Sequence, residues 1–285
     1  MDTALAVDIG GTKLAAGLVT SAGEVVASAS APSRVDDAER LFSVLLALID
    51  SVGGNGEVSV CGVGCGGPMT RGGEAVSPLN IPAWRDFPLR PRLADATGLP
   101  TFVDNDAKAL ALGEGWKGAA EGEQNFIAMV VSTGVGGGIV LDGRLLDGED
   151  GNAGHIGHVC VEPEGRTCTC GARGCLEAEA SGTAIAAITG RPSAEAGPDV
   201  VDRTGRLVGR AVASVANLLD LRLAAIAGSV ALGYGEPFFA AAQAELDAQA
   251  RLSFSSGARV VPAGLGPNGP LVGAAAVGWR GLGRL

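Results

Sequence analysis

Two stretches of this 285-residue chain follow the same plan. Residues 3–26, TALAVDIGGTKLAAGLVTSAGEVV, read as strand, Gly-Gly turn, strand, turn, strand. Leu5, Val7 and Ile9 alternate ahead of a hairpin at Gly10 and Gly11. Residues 125–148, NFIAMVVSTGVGGGIVLDGRLLDG, repeat the pattern. A chain that opens twice in the same way predicts two related α/β halves. The length fits two domains with ample material for cores.

The rest of the chain supplies alternating elements. Residues 36–54 form an amphipathic helix ending in glycine, and VSVCGVGCGGP (58–68) is a buried strand running into a glycine-rich turn. A proline-punctuated loop with a short helix at its end spans 77–100. TFVDNDAKALALGEGWKG (101–118) is a strand, an acidic turn and a helix. Further on come a helix from about Thr204 to Leu219, a strand LAAIAGS, a helix near PFFAAAQAELDAQA, a strand ARVVPAG and a final helix from 269. Strands alternating with helices imply mixed or parallel sheets with helical faces.

The formal net charge is −10 and there is no basic run, which argues against nucleic acid or anionic lipid as partner. The N-terminus lacks a basic n-region and a long apolar run, and no apolar stretch is clean enough to span a bilayer. A cytoplasmic protein is expected, in which clustered cysteines read as metal ligands rather than disulfides.

That expectation has a place to fall. Both histidines of the chain, His155 and His158, and four of its six cysteines lie in AGHIGHVCVEPEGRTCTCGARGCLEAEASG, residues 153–182. His158, Cys168, Cys170 and Cys175 make a complete tetrahedral set for Zn²⁺, with Gly171 and Gly174 letting the loop fold tightly. Four protein ligands leave no open position, so the zinc would be structural. Cys61, Cys65 and Cys160 read as small core residues.

Two glycine hairpins carry the second signal. In DIGGTK, Gly10 and Gly11 offer backbone N–H groups, and Thr12 and Lys13 add a hydroxyl and an ammonium. In STGVGGG, Thr133, Gly134 and Gly136, with Gly137 and Gly138, repeat the arrangement. Such loops can cradle phosphate oxygens, and neither matches the P-loop or dinucleotide pattern. Third, Asp106 stands at the strand-to-helix turn of VDNDA, where its ordinary role is an N-cap. Asn105 beside it offers a donor and an acceptor to a hydroxyl-rich ligand.

Together these pieces resemble, almost end to end, the ROK family of sugar kinases, repressors and uncharacterised reading frames, within the superfamily of actin, hexokinase and heat-shock-chaperone ATPases. DIGGTK looks like the family's first phosphate motif, STGVGGG its second, VDNDA its sugar-binding and catalytic turn, and residues 157–177 its zinc segment. The resemblance implies two actin-like (ribonuclease H-like) α/β domains with a central cleft. The expected smaller domain is 1–107 plus about 270–285, and the larger is 108–269, carrying the zinc loop. It implies an ATP-dependent hexose kinase acting on the terminal hydroxyl of glucose or a related hexose, with ATP, Mg²⁺ and structural Zn²⁺. Asp106 would be the general base, and Asn105, His155, His158, Glu177 and Gly67 the sugar set. Asp8 would lie near Mg²⁺, and Gly228 near the adenosine. A homodimer or homotetramer is expected.

Three departures stand out. His155 occupies the place of the family's usual Glu in its E-x-G-H element, AGS (227–229) replaces a GGG, and the segment 183–205 looks short. His155 would face the sugar; the competing roles are packing away from it or serving as a spare zinc ligand. The alternatives are an N-acetylhexosamine kinase, acting on N-acetylmannosamine or N-acetylglucosamine, and a non-catalytic sugar-sensing regulator. A repressor would need a helix-turn-helix ahead of DIGGTK, where seven residues stand. The sugar itself, and polyphosphate as donor, stay open.

Overall fold

The computed structural model describes residues 2–53 and 57–285, which form two compact units. The first takes in Met1–Glu121, Asp147–Ala153 and Leu265–Leu285. Its strands are β1 (Thr3–Ile9), β2 (Lys13–Thr20), β3 (Val25–Pro32), β4 (Val58–Cys65) and β5 (Thr101–Asn105), and its first helices are α1 (Ala38–Val52), α2 (Leu89–Thr97) and α3 (Asp106–Lys117). The sheet order is β3-β2-β1-β4-β5, with antiparallel pairing through the hairpins and parallel pairing of β1 with β4 and β4 with β5. On α1, Asp37 caps the N-terminus by accepting from the Arg40 amide, and Leu41, Phe42, Leu45 and Leu48 are buried at helical spacing. Gly54, part of the glycine pair expected to end this helix, lies outside the described residues; Gly53 caps it.

The second unit, Gly122–Leu146 with Gly154–Gly264, repeats that sheet. Its elements are β6 (Phe126–Val131), β7 (Val135–Leu141), β8 (Arg144–Leu145), α4 (Leu176–Ala180), α5 (Gly182–Thr189), α6 (Pro198–Leu219), β9 (Leu223–Ala227), α7 (Ser229–Tyr234), α8 (Glu236–Gln249) and β10 (Arg259–Pro262). The order β10-β9-β6-β7-β8 places hairpin strands and parallel strands as in the first sheet. The repeat expected from the two similar openings is therefore a repeat of topology. The helix expected from about Thr204 begins at Pro198. Proline at the first helical position costs no hydrogen bond, so the helix starts there.

The chain then returns to the first unit as α9 (Gly269–Gly281). Glycines let it cross α3 closely: a Cβ on Gly113 would lie 3.0 Å from the Gly273 Cα. The domain cut expected at residue 107 falls at the first turn of α3, and the compact units do not divide there. α3 packs on α9, in the first unit. Residues 147–153 also belong to that unit. Lys108, 3% exposed, donates to the Asp147 carboxylate at 2.7 Å and to the Gly151 carbonyl at 3.1 Å, and Arg280 reaches Asp147 at 2.8 Å. Asp104 completes the cluster 3.0 Å from the Lys108 ammonium.

Candidate functional site

In the first unit the candidate groups gather where β1, β4 and β5 end. Asp8 registers opposite Gly64 of β4, and Gly64 opposite Asp104 of β5. Parallel pairing brings the turns that leave these strands to one edge of the sheet, where open α/β sheets place their ligands. Asp106 follows as the first residue of α3 and is exposed. The N-cap role that spacing suggested for it belongs to Asn105, whose Oδ1 accepts from the Ala107 amide at 3.0 Å. A Cβ on Gly64 would lie 3.8 Å from Asp8 Oδ1 and 3.7 Å from the Asp106 Cα, so this glycine lets the two acids approach. A Cβ on Gly67 would lie 3.6 Å from Asn105 Nδ2, which puts Gly67 against the expected sugar ligand.

The DIGGTK turn joins β1 to β2. The Gly10 amide is committed to the Lys13 carbonyl at 3.0 Å, which leaves Gly11 and Thr12 at the tip. Thr12 and Lys13 are exposed. Gly11 packs against the side chain of Asn80, a residue that sequence reasoning passed over. Burial, and after it the negative charge of Asp106, push the Asp8 carboxyl up to about 7, with Lys13 pulling the other way.

Because the folded value lies above the unfolded one, the native state binds the extra proton. The stability this gives is present at low pH and is lost as pH rises from about 4 towards 7. Asp8→Asn removes the cost of the buried charge. We expect it to stabilise the metal-free protein by about 2 kcal/mol at pH 8, half the full shift to allow for relaxation, and to have little effect at pH 4. Urea unfolding at the two pH values checks this; equal effects at both would overturn the assignment.

In the second unit, the STGVGGG turn joins β6 to β7. The Ser132 amide closes it onto the Gly134 carbonyl at 2.9 Å. Thr133 is exposed at its tip, while Gly136 lies in the ladder opposite Val130. Gly228 has a left-handed φ of 102° and abuts the Val131 carbonyl, so AGS sits at the foot of the same hairpin. Ser132 and Ser229 share a hydrogen bond of 2.9 Å across them. Glu177, in the first turn of α4, turns towards this hairpin: its Oε2 accepts from the Val135 amide at 2.9 Å.

His155 precedes, and His158 ends, a 3-10 turn, Ile156–His158, that packs on β7. Both are exposed, with ring centroids 6.0 Å apart. His158, Cys168, Cys170 and Cys175 place their ligand atoms within 4.8 Å of one another. The Cys168 sulfur lies 3.7 Å from His158 Nδ1, and the Cys170 sulfur 3.7 Å from that of Cys175. Four ligands around one zinc ion would be about 3.8 Å apart, so the donor set and its spacing fit the metal. His155 is outside the set. Cys160 is exposed, not a core residue: along Val159, Cys160 and Val161 the chain alternates, and its outward position falls to the cysteine. Cys61 and Cys65 are fully buried, as expected.

A further group escaped the sequence. Glu179 is 0% exposed and accepts from the Arg166 amide at 2.6 Å, the Arg166 guanidinium at 2.9 Å and the Arg203 guanidinium at 2.6 Å. Burial opposes its ionisation, but these donors outweigh it and hold the carboxyl below its ordinary range. The cluster fastens the Cys/His loop to α6.

Two matching hairpins on matching sheets, an acid at a strand-to-helix turn and a Cys/His loop define an α/β protein of the actin-like class. The sequence model of the ROK family matches residues 4–279, and the chain belongs to that family. It is 43% identical over 190 residues to a glucokinase of Halalkalibacterium halodurans, a match covering 64% of this chain and 57% of that protein. It therefore spans less than three-fifths of that relative's length. Similarity to an N-acetylmannosamine kinase of Citrobacter koseri is 38% over 250 residues, covering 81% and 84%. Among solved structures, a ROK family glucokinase from Streptomyces griseus in complex with glucose and AMPPNP superposes with a TM-score of 0.84 at 29% identity, over 98% of this chain and 99% of that one. The mixed α/β fold with two like sheets is that of the actin-like ATPases.

Proposed function

We propose that the chain is an ATP-dependent hexose kinase. The observation that carries this reading is the exposed Asp106 at the first turn of α3, capped by Asn105 and paired with Asp8 at the end of β1. Asp106 accepts the proton of the sugar's terminal hydroxyl as that oxygen attacks the γ-phosphate. Phosphoryl transfer is mostly positioning and charge neutralisation. Gly11, Thr12 and Lys13 of the first unit, and Thr133 and Gly134 of the second, supply amides, hydroxyls and one ammonium for the phosphates. Gly228 and Ser229 lie on the adenosine side, and Asp8 offers a carboxylate to Mg²⁺, which neutralises phosphate charge when bound. Asn105, Gly67, His155, His158 and Glu177 contact the sugar. Zinc, when bound, would brace the loop; His158, whose Nδ1 faces the Cys168 sulfur, would hold it through that nitrogen and keep Nε2 for a sugar hydroxyl. Among the described residues no helix is long and apolar enough to cross a membrane. The enzyme of this reading draws on cytoplasmic ATP and, as the family resemblance implies, is a homodimer or homotetramer.

The second reading is an N-acetylhexosamine kinase, and His155 favours it. A glutamate at this position would be an anionic acceptor. A neutral imidazole offers one donor and one acceptor on a bulkier ring, which suits a different substituent near C1 or C2. A coupled assay of wild type and His155→Glu on glucose, mannose, N-acetylmannosamine and N-acetylglucosamine separates the readings. We expect the substitution to shift the ranking of kcat/KM by at least about tenfold, roughly 1.4 kcal/mol of discrimination. An unchanged ranking removes His155 from the sugar site, and no turnover on any sugar, with ATP or polyphosphate, overturns the kinase.

A further inference from the structure

The second hairpin is gripped from two sides by α4 and α5, the consecutive helices that follow the Cys/His loop. At the start of α5, the Gly182 amide donates to the Ser132 carbonyl at 2.7 Å, and the Thr183 hydroxyl to the Thr133 carbonyl at 2.9 Å. From α4, Glu177 Oε2 accepts the Val135 amide at 2.9 Å. A Cβ on Gly134 would come within 2.8 Å of that oxygen, so the carboxylate lies directly on the hairpin backbone. The helices thus engage the Ser132 and Thr133 carbonyls and the Val135 amide. Among the described residues, no backbone hydrogen bond engages the amides of Thr133 and Gly134.

We propose that Glu177 is a positioning residue for the phosphate hairpin: by holding the Val135 amide it fixes the turn whose Thr133 and Gly134 amides receive phosphate. Its role is then not confined to the sugar. The proposal rests on the kinase reading for the identity of the hairpin's ligand. A carboxylate accepting a backbone amide is a charge-assisted bond, stronger than its neutral counterpart. Losing it lets the turn sample other conformations, and nucleotide affinity falls by the fraction of time the competent one is absent. The effect must appear with no sugar present, which a purely sugar-contacting residue cannot produce.

Calorimetric titration of the full-length, zinc-loaded protein with AMPPNP and Mg²⁺, without sugar, reads this. Glu177→Ala is expected to weaken binding by about fivefold or more, given the usual size of hydrogen bonds to charged groups. Glu177→Asp, which keeps the charge but falls short of Val135, should behave like the alanine variant. Glu177→Gln, which keeps an oxygen for the Val135 amide, should stay within about twofold of wild type. Hydrogen exchange at the Val135 amide should quicken in the alanine and aspartate variants and not in glutamine. Zinc content equal to wild type certifies a formed loop. Unchanged sugar-free affinity and unchanged Val135 exchange in the alanine and aspartate variants would overturn the proposal. Wild type with no affinity for AMPPNP would instead sink the nucleotide reading of the hairpin, and the exchange at Val135 would still decide whether Glu177 holds it.

Discussion

Asp106→Asn is expected to lower kcat by about a thousandfold or more while leaving sugar affinity within about threefold, since a positioned general base is worth about two to four orders of magnitude. The substitution is nearly isosteric, and the local structure tolerates it. Asp106 Oδ1 accepts from the Ala107 amide at 2.8 Å, and an asparagine carbonyl oxygen can do the same. Asn105 caps α3 in either case. What disappears, on the proposed mechanism, is the acceptor for the substrate proton. A second readout does not depend on turnover. The charge of Asp106 helps to raise Asp8, so Asp8 should titrate lower in the variant, and NMR titration of its carboxyl measures this. Near-normal kcat would remove Asp106 as the base, and an unmoved Asp8 would remove the coupling of the two acids.

The sequence made some of these positions readable and left others hidden, for physical reasons. Hairpin and strand patterns are local, so the two sheets could be read from Leu5, Val7, Ile9 and their counterparts after Phe126. The Cys/His cluster was legible because its four ligands lie within eighteen residues and their chemistry is rare in this chain. Long-range polar contacts leave no such trace. Glu179 looks like one more acid in LEAEA, and its partners Arg166 and Arg203 stand 13 and 24 residues away. The cluster of Lys108, Asp147 and Arg280 joins three distant points of the chain and moves residues 147–153 into the first unit, which no composition shift announces. Nor could spacing tell the capping oxygen of Asn105 from that of Asp106, since adjacent Asn and Asp cap equally well. The hydrogen bond of Glu177 to Val135 crosses 42 residues and leaves no local signature either.

Removing one zinc ligand is the other substitution with a large expected effect. Cys168 is 5% exposed and lies 3.7 Å from His158 Nδ1, so serine there puts a poor ligand in a buried position of the set. We expect wild type purified without added metal to carry about one zinc per chain, and Cys168→Ser to carry less than about a fifth of that. The damage should stay local. Glu179 holds the Arg166 amide and the Arg203 side chain, and the Arg210 guanidinium donates to the Val161 carbonyl at 2.8 Å, all without metal. These ties anchor the two ends of the loop to α6; the tip has backbone bonds of its own, from the Cys168 amide to the Ala172 carbonyl at 2.7 Å and from the Gly174 amide to the Arg166 carbonyl at 2.8 Å, and a bound zinc would add the clamp that joins it to His158. His158 belongs to the same set and would lose the metal that fixes its ring. Sugar affinity should therefore fall by about tenfold to a hundredfold, as when a metal site loses its supporting geometry, while the bulk of the fold survives. Limited proteolysis should cut the variant first between residues 166 and 175, and chelation of wild type should reproduce both effects. A zinc-free wild type with unchanged sugar affinity and an uncut loop would show that these four side chains pack together without needing a metal.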